Sequence, residues 1–264
     1  MAARTPLIAG NWKMYGRRAD LGEIAALGAR LSAAKGPIEA LICPPSPYLA
    51  AAVAAAHGSA LAIGAQDCSS VAADAARTGE VNAAMLAEQG ARYVIVGHSE
   101  RRTLLGETDA LVCAKAQAAL AAGLTPIVCI GETKDERLAG RVEAVLAAQV
   151  RSSAPALAAL LGKARPEEAS PSYVLAYEPV WCIGGERTPS PAEIAEAHAV
   201  IRAALGEKLG AGAAAVRILY GGSVGPKNAA EVFSAPGVDG ALVGRASLKA
   251  DDFSSIIFAH PAAS

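Results

Sequence analysis

Residues 93–130 read YVIVGHSERRTLLGETDALVCAKAQAALAAGLTPIVCI. Two short apolar runs rich in Val and Ile, at 93–96 and 126–130, enclose an alanine-rich segment at 109–122. Short buried runs joined by a segment of helical period are typical of parallel strands linked by a crossover helix. The stretch therefore predicts a strand, a helix and the next parallel strand.

The same alternation continues in both directions along the chain, without a linker or low-complexity tract. Strands are predicted at 7–9, 40–43, 61–65, 93–96, 126–130, 173–177, 217–220 and 240–243. Helices are predicted at 19–34, 48–57, 82–88, 109–122, 136–150, 191–209, 228–233 and after Asp251. Eight parallel strands are enough to close a barrel. The predicted fold class is α/β, a single (β/α)₈ barrel of eight parallel strands surrounded by helices, with residues 1–264 as one domain.

Composition excludes several function classes. The 264 residues carry a net charge of −1 and no Lys/Arg-rich stretch, which argues against a nucleic-acid partner. The five cysteines are irregularly spaced and form no C-x-x-C pair, so neither a disulfide framework nor a metal site is indicated. No apolar run reaches membrane-spanning length, and no membrane partner is expected. The prediction is a cytoplasmic protein with reduced thiols.

The positions that follow the predicted strands carry polar, charged or glycine residues. In a parallel barrel these positions converge on one rim, where reactive groups gather. They are Asn11, Lys13, Gln66, Asp67, His98, Glu132, Glu178, Gly221, Gly222, Ser223 and Gly244. So many polar groups at buried strand ends would be unfavourable unless they shared a solvent-filled site.

Several of these residues suit proton abstraction next to a carbonyl. Glu178 can act as the base, and desolvation can raise its pKa when the site dries beside a closing loop; the alternative is an ordinary surface charge. His98 precedes a helix start, which favours a neutral imidazole able to donate to a developing enediolate. Lys13 offers a compact cation for a phosphate and for the enediolate, with Asn11 as a neutral donor nearby. The alternative interpretation of Lys13 is a solvated surface charge, as expected for a single lysine after a strand.

Glycines after strands seven and eight suit a bound phosphate. Gly221, Gly222, Ser223 and Gly244 would let backbone amides approach an anion, although two tight turns explain these glycines about as well. The connection from Glu178 to a capped helix start at 190–193 is long enough for a closing lid. A second long connection, 67–79, is either a lid or a contact surface.

Five segments resemble the triosephosphate isomerase family: GNWKM at 10–14, GHSERR at 97–102, CIGET at 129–133, YEPVW at 177–181 and YGGSV at 220–224. The resemblance implies a homodimeric TIM-barrel enzyme without cofactor or metal that interconverts dihydroxyacetone phosphate and glyceraldehyde 3-phosphate. It also implies catalytic roles for Glu178, His98, Lys13 and Asn11. By the same resemblance, Glu100 pairs with Lys13, Cys129 has a supporting role, Gly184 on the lid contacts phosphate, and loop 67–80 contacts the partner subunit.

The lid, with Cys182 for alanine and Arg187 for a residue such as lysine, departs from the family pattern, as do two residues elsewhere. Glu186 replaces a lid glycine, where strain or repulsion of phosphate would follow unless Arg187 offsets its charge. Arg245 replaces a second glycine after Gly244, although its backbone amide can still bind phosphate. Tyr15 replaces an asparagine at a position that resembles the dimer contact. Two alternatives stay open: an isomerase of a four-carbon keto-sugar phosphate, and a catalytically silent protein that binds phosphate ligands.

Overall fold

The barrel is closed and follows the order of the sequence. The computed structural model describes residues 4–155, 173–182 and 187–263. The strands are β1 (Leu7–Asn11), β2 (Glu39–Cys43), β3 (Ala62–Ala65), β4 (Tyr93–Val96), β5 (Thr125–Ile130), β6 (Val174–Tyr177), β7 (Arg217–Tyr220) and β8 (Gly240–Val243). Each strand pairs in parallel with its neighbour, and β8 pairs with β1 to close the ring. This arrangement confirms the predicted fold class.

Helices cover the outside of the barrel. They are α1 (Leu21–Leu31), α2 (Leu49–Ala55), α3 (Ala83–Glu88), α4 (Ser99–Leu105), α5 (Asp109–Ala121), α6 (Lys134–Leu138), α7 (Val142–Ser153), α8 (Pro191–Leu209), α9 (Ala229–Ser234) and α10 (Ala250–Phe258). At the start of α8, the Ser190 hydroxyl accepts from the Glu193 amide while the Glu193 carboxylate accepts from the Ser190 amide. This capping box confirms the predicted helix start at 190–193.

Two helical regions differ from the prediction. The segment 136–150, predicted as one helix, contains the end of α6 and most of α7. Gly140 lies between them with a φ of +67°, a left-handed conformation that ends a helix. The second difference is α4, which was recognised only as a helix start and extends over seven residues. Neither difference moves the ends of the strands.

Alternate strand residues form two separate apolar layers. Leu7 and Ala9 face the interior of the barrel, whereas Ile8 packs against the surrounding helices. Because successive side chains of a strand point to opposite faces, both layers are filled from the same short runs. Cys43 and Cys129 belong to the interior layer, and all five cysteines are free. Over the described residues, no helix is both long and apolar enough to cross a membrane.

Candidate active site

A cavity of about 460 Å³ opens at the carboxyl ends of the strands. Its walls are formed by Asn11, Lys13, His98, Glu178, Gly221, Gly222, Ser223, Val224, Leu242, Gly244, Arg245, Ala246 and Asp252. The predicted site residues after β1, β4, β6, β7 and β8 therefore meet around one space. Glu100 and Cys129 do not line it but contact residues that do. Gly184 and Glu186 lie outside the described residues.

The Glu178 carboxylate is buried, and both of its oxygens have donors. Oε2 accepts from the backbone N–H of Ser99 at 2.8 Å, and Oε1 accepts from the Ser99 hydroxyl at 3.1 Å. His98 Nε2 lies 3.0 Å from Oε1. Glu178 thus lies against the first residue of α4 and the imidazole of His98.

Opposing effects set the pKa of Glu178 in the ligand-free protein. Burial acts in the predicted direction and raises the pKa of Glu178, but the adjacent His98 and the two Ser99 donors outweigh it. The net pKa therefore lies below the ordinary value for a glutamate. The predicted rise of this pKa concerns the dried site and stays a prediction; the sequence does not show the Ser99 contact, which joins residues far apart in the chain.

His98 is held between a helix start and a carboxylate. The backbone N–H of Glu100 donates to His98 Nδ1 at 3.2 Å, which places the proton of the neutral ring on Nε2, facing Glu178. Burial lowers the pKa of His98, but the Glu178 carboxylate raises it more, so the net shift is upward. In the ligand-free protein the charge of Glu178 thus opposes the preference for a neutral imidazole that the helix start predicts.

We expect His98 to titrate above its ordinary pKa of 6.5 in the ligand-free protein and to lose this upward shift in the Glu178→Gln variant. The removed carboxylate is the group that favours the imidazolium, so burial then dominates. Imidazole carbon and nitrogen chemical shifts between pH 5 and 9 measure the change, with His98→Gln assigning the signal. A wild-type pKa at or below that of the variant would contradict this account.

Lys13 adopts a strained backbone conformation. Its φ is +51°, which is uncommon for a residue with a side chain and costs on the order of 1–3 kcal/mol. The Lys13 N–H donates to Asn11 Oδ1 at 2.9 Å, and Gln66 Nε2 donates to the Lys13 carbonyl at 2.8 Å. Lys13 Nζ forms an ion pair with Glu100 at 2.7 Å. These contacts hold the lysine at the cavity wall.

Three glycines of the rim leave space for other groups of the site. A Cβ on Gly131 would lie 1.7 Å from the backbone oxygen of Glu178, and one on Gly221 would lie 2.9 Å from Glu178 Cγ. A Cβ on Gly222 would meet the Tyr220 hydroxyl at 2.2 Å. Gly131 and Gly221 are thus needed for the position of Glu178, a reason distinct from phosphate binding.

A cluster around Glu132 holds the first part of the connection after β6. The buried Glu132 Oε1 accepts from Trp181 Nε1 at 2.8 Å and from the Tyr177 hydroxyl at 3.1 Å. The guanidinium of Arg137 lies 4.3 Å from the centre of the Trp181 ring, and that of Arg187 lies at 5.1 Å. Two guanidinium groups therefore contact one indole, which helps to hold Trp181 in place close to Glu178.

The histidines outside the site hold no metal cluster. Within the described parts of the chain, no three His, Cys, Asp or Glu side chains are grouped to bind a metal ion. His198 is buried, with Nδ1 2.9 Å from the Gly237 carbonyl, while its Nε2 has no hydrogen-bond partner among the described residues. Burial lowers the pKa of His198 to about 4, so this ring is neutral near pH 7.

Comparison with known proteins identifies the family. The family model described as triosephosphate isomerase matches residues 6–260. The chain is 51% identical over 256 residues to the triosephosphate isomerase of Afipia carboxidovorans, covering 97% of this chain and 98% of the relative. It is also 51% identical to that of Acidiphilium cryptum, over 95% of this chain and 96% of the relative. The crystal structure of triosephosphate isomerase from Bartonella henselae superposes with a TM-score of 0.84 at 43% identity, covering 96% of this chain and 98% of that one. The chain belongs to the triosephosphate isomerase family.

Proposed function

We propose that this protein interconverts dihydroxyacetone phosphate and D-glyceraldehyde 3-phosphate. The observation that carries the proposal is the 3.0 Å contact between Glu178 and His98 in a cavity that Lys13 also lines. A carboxylate base, an imidazole donor and a cation are the groups that proton transfer next to a carbonyl requires. Family membership supports the same reaction.

In the proposed reaction, the ketose lies between Glu178 and His98. Glu178 removes a proton from the hydroxymethyl carbon, and the C–H electron pair forms a double bond while the carbonyl electrons move to oxygen. The resulting enediolate is stabilised by the His98 Nε2–H, by Lys13 and by Asn11. Return of the proton from Glu178 to the neighbouring carbon, with proton exchange between the two oxygens, gives the aldose.

The phosphate of the substrate is proposed to bind at the ends of β7 and β8. Gly221, Gly222, Ser223 and Gly244 line this side of the cavity, and the backbone amide of Arg245 follows them. Close approach of the backbone to an anion is possible where glycine has no side chain. Gly184 remains a further candidate from the sequence.

Two residues beside the cavity are proposed to position the reacting groups. Glu100 holds Lys13 through their ion pair of 2.7 Å. Cys129 lies inside the barrel, where burial and the neighbouring Glu178 raise the pKa of its thiol. A thiol with a raised pKa stays neutral beside the base and does not compete for the proton that the base removes.

The reaction is tested by incubating the purified protein with dihydroxyacetone phosphate in D₂O. Formation of glyceraldehyde 3-phosphate together with deuterium incorporation at the carbon next to the carbonyl is expected. A silent binder would bind the ligand and incorporate no deuterium. A higher kcat/KM for a four-carbon keto-sugar phosphate than for the triose would instead support that alternative substrate.

We propose that the protein is a homodimer located in the cytoplasm. Residues 1–264 would form one domain, and the reaction would need no cofactor or metal. Asp67, at the base of loop 67–80, forms ion pairs with Lys115 at 2.7 Å and Arg101 at 2.8 Å, which anchor the exposed loop. Met14 is 95% exposed, and a partner subunit at this position would cover its apolar side chain. A monomeric mass by light scattering at micromolar concentration would contradict the dimer.

A further inference from the structure

Two residues that depart from the family pattern contact each other. The guanidinium of Arg245, which follows β8, lies 5.8 Å from the centre of the Tyr15 ring, which follows β1. A cation over an aromatic face is attracted by the ring electrons. The ring therefore favours this position of the Arg245 side chain, whose residue also lines the cavity.

Arg245 and Lys13 line the same cavity. A Cβ on Gly244, the residue before Arg245, would lie 3.6 Å from Lys13 Cε, so the two cationic residues approach the cavity from adjacent backbone. The Lys13 charge is already paired with Glu100 at 2.7 Å. Among the described residues, Arg245 has no carboxylate within 4.0 Å, although Asp252 also lines the cavity. Among the described residues that line the cavity, Arg245 is therefore a cation without an ion-pair partner.

We propose that the Arg245 side chain, held over Tyr15, provides a second cation for the phosphate group of the ligand. The inference rests on the proposed function for the identity of the ligand, but it concerns only the binding of a phosphate dianion. The family resemblance implies one cation for the phosphate, Lys13, together with backbone amides. In this chain the guanidinium of Arg245 would be added to them. Because Arg245 is exposed, its contribution is screened by salt and is of moderate size.

Binding of inorganic phosphate by isothermal titration calorimetry tests the proposal without any need for turnover. Arg245→Gln is expected to raise the Kd for phosphate about fivefold at low ionic strength, and by less at about 0.15 M salt. Arg141→Gln removes an exposed arginine that does not line the cavity and is expected to leave the Kd unchanged. Tyr15→Phe keeps the aromatic ring and is expected to keep the wild-type Kd for phosphate. Tyr15→Ala removes the ring and is expected to raise this Kd about twofold.

Equal phosphate affinity in Arg245→Gln and Arg141→Gln would overturn the proposal. Absence of phosphate binding by the wild-type protein would overturn both this inference and the proposed function. Phosphate binding that depends on Arg245, in a protein that does not turn over dihydroxyacetone phosphate, would reject the proposed function alone. Light scattering on each variant separates a change of assembly from a change of binding.

Discussion

Replacement of Glu178 by glutamine is expected to lower kcat for the isomerisation about 10³-fold or more. The amide has nearly the same volume as the carboxylate and can still accept from the Ser99 N–H, so the cavity keeps its shape. It cannot take a proton from carbon at neutral pH, and a positioned general base contributes about 10²–10⁴ in rate. Initial rates with both trioses, together with deuterium exchange in D₂O, measure the loss.

A matched variant separates loss of the base from loss of a carboxylate in general. Glu143 is exposed on α7, and Glu143→Gln is expected to retain wild-type activity. Affinity for phosphate should persist in Glu178→Gln, because the groups proposed for phosphate are untouched. If Glu178→Gln retained more than about a tenth of wild-type kcat, Glu178 could not be the base.

The second large effect is expected from Gly131→Ala. The new Cβ would lie 1.7 Å from the backbone oxygen of Glu178, and neither backbone is free to yield, because the Glu178 N–H donates to the Ile130 carbonyl at 2.7 Å. Overpacking against fixed backbone is expected to lower the free energy of unfolding by about 3 kcal/mol or more. Displacement of Glu178 by about 1 Å would also reduce kcat about 10²-fold.

Urea unfolding at fixed protein concentration measures this change, and Gly206→Ala is the control. Gly206 lies inside α8, and nothing lies within 4 Å of a Cβ added there. Alanine at that position is expected to stabilise the helix by up to about 1 kcal/mol. If Gly131→Ala had the same urea midpoint of unfolding as the wild-type protein, the backbone at these strand ends would adjust more easily than its contacts indicate.

The sequence predicts the barrel well because its strands are short, apolar and regularly separated by helices. Each strand is buried on both faces, so the period and the composition carry the signal without any long-range contact. The boundary between α6 and α7 was missed because Gly140 is a single residue within an otherwise helical pattern. One glycine is tolerated inside many helices, and only its left-handed φ shows that the helix ends there.

The candidate site is predicted less completely than the fold. Positions after strands indicate which residues meet, and the structure does bring Asn11, Lys13, His98 and Glu178 around one cavity. The sequence does not indicate which residues donate hydrogen bonds to the Glu178 carboxylate. Ser99 follows His98 directly, which was the available signal, but the hydrogen bonds of Ser99 join residues 79 positions apart. The direction of each pKa shift in the ligand-free protein depends on those bonds, so the sequence alone does not give it.

The pairing of β1 with β8 has a consequence for biosynthesis. Leu7 pairs with Glu39 on one side and with Gly240 on the other, so one edge of the first strand stays unpaired on the ribosome until nearly the whole chain has been made. An open strand edge invites pairing with other nascent chains. Lys13 follows β1 and Gly244 follows β8, so the two residues lie on either side of this last strand pair. Appearance of isomerase activity during translation would therefore report the closing of the ring itself.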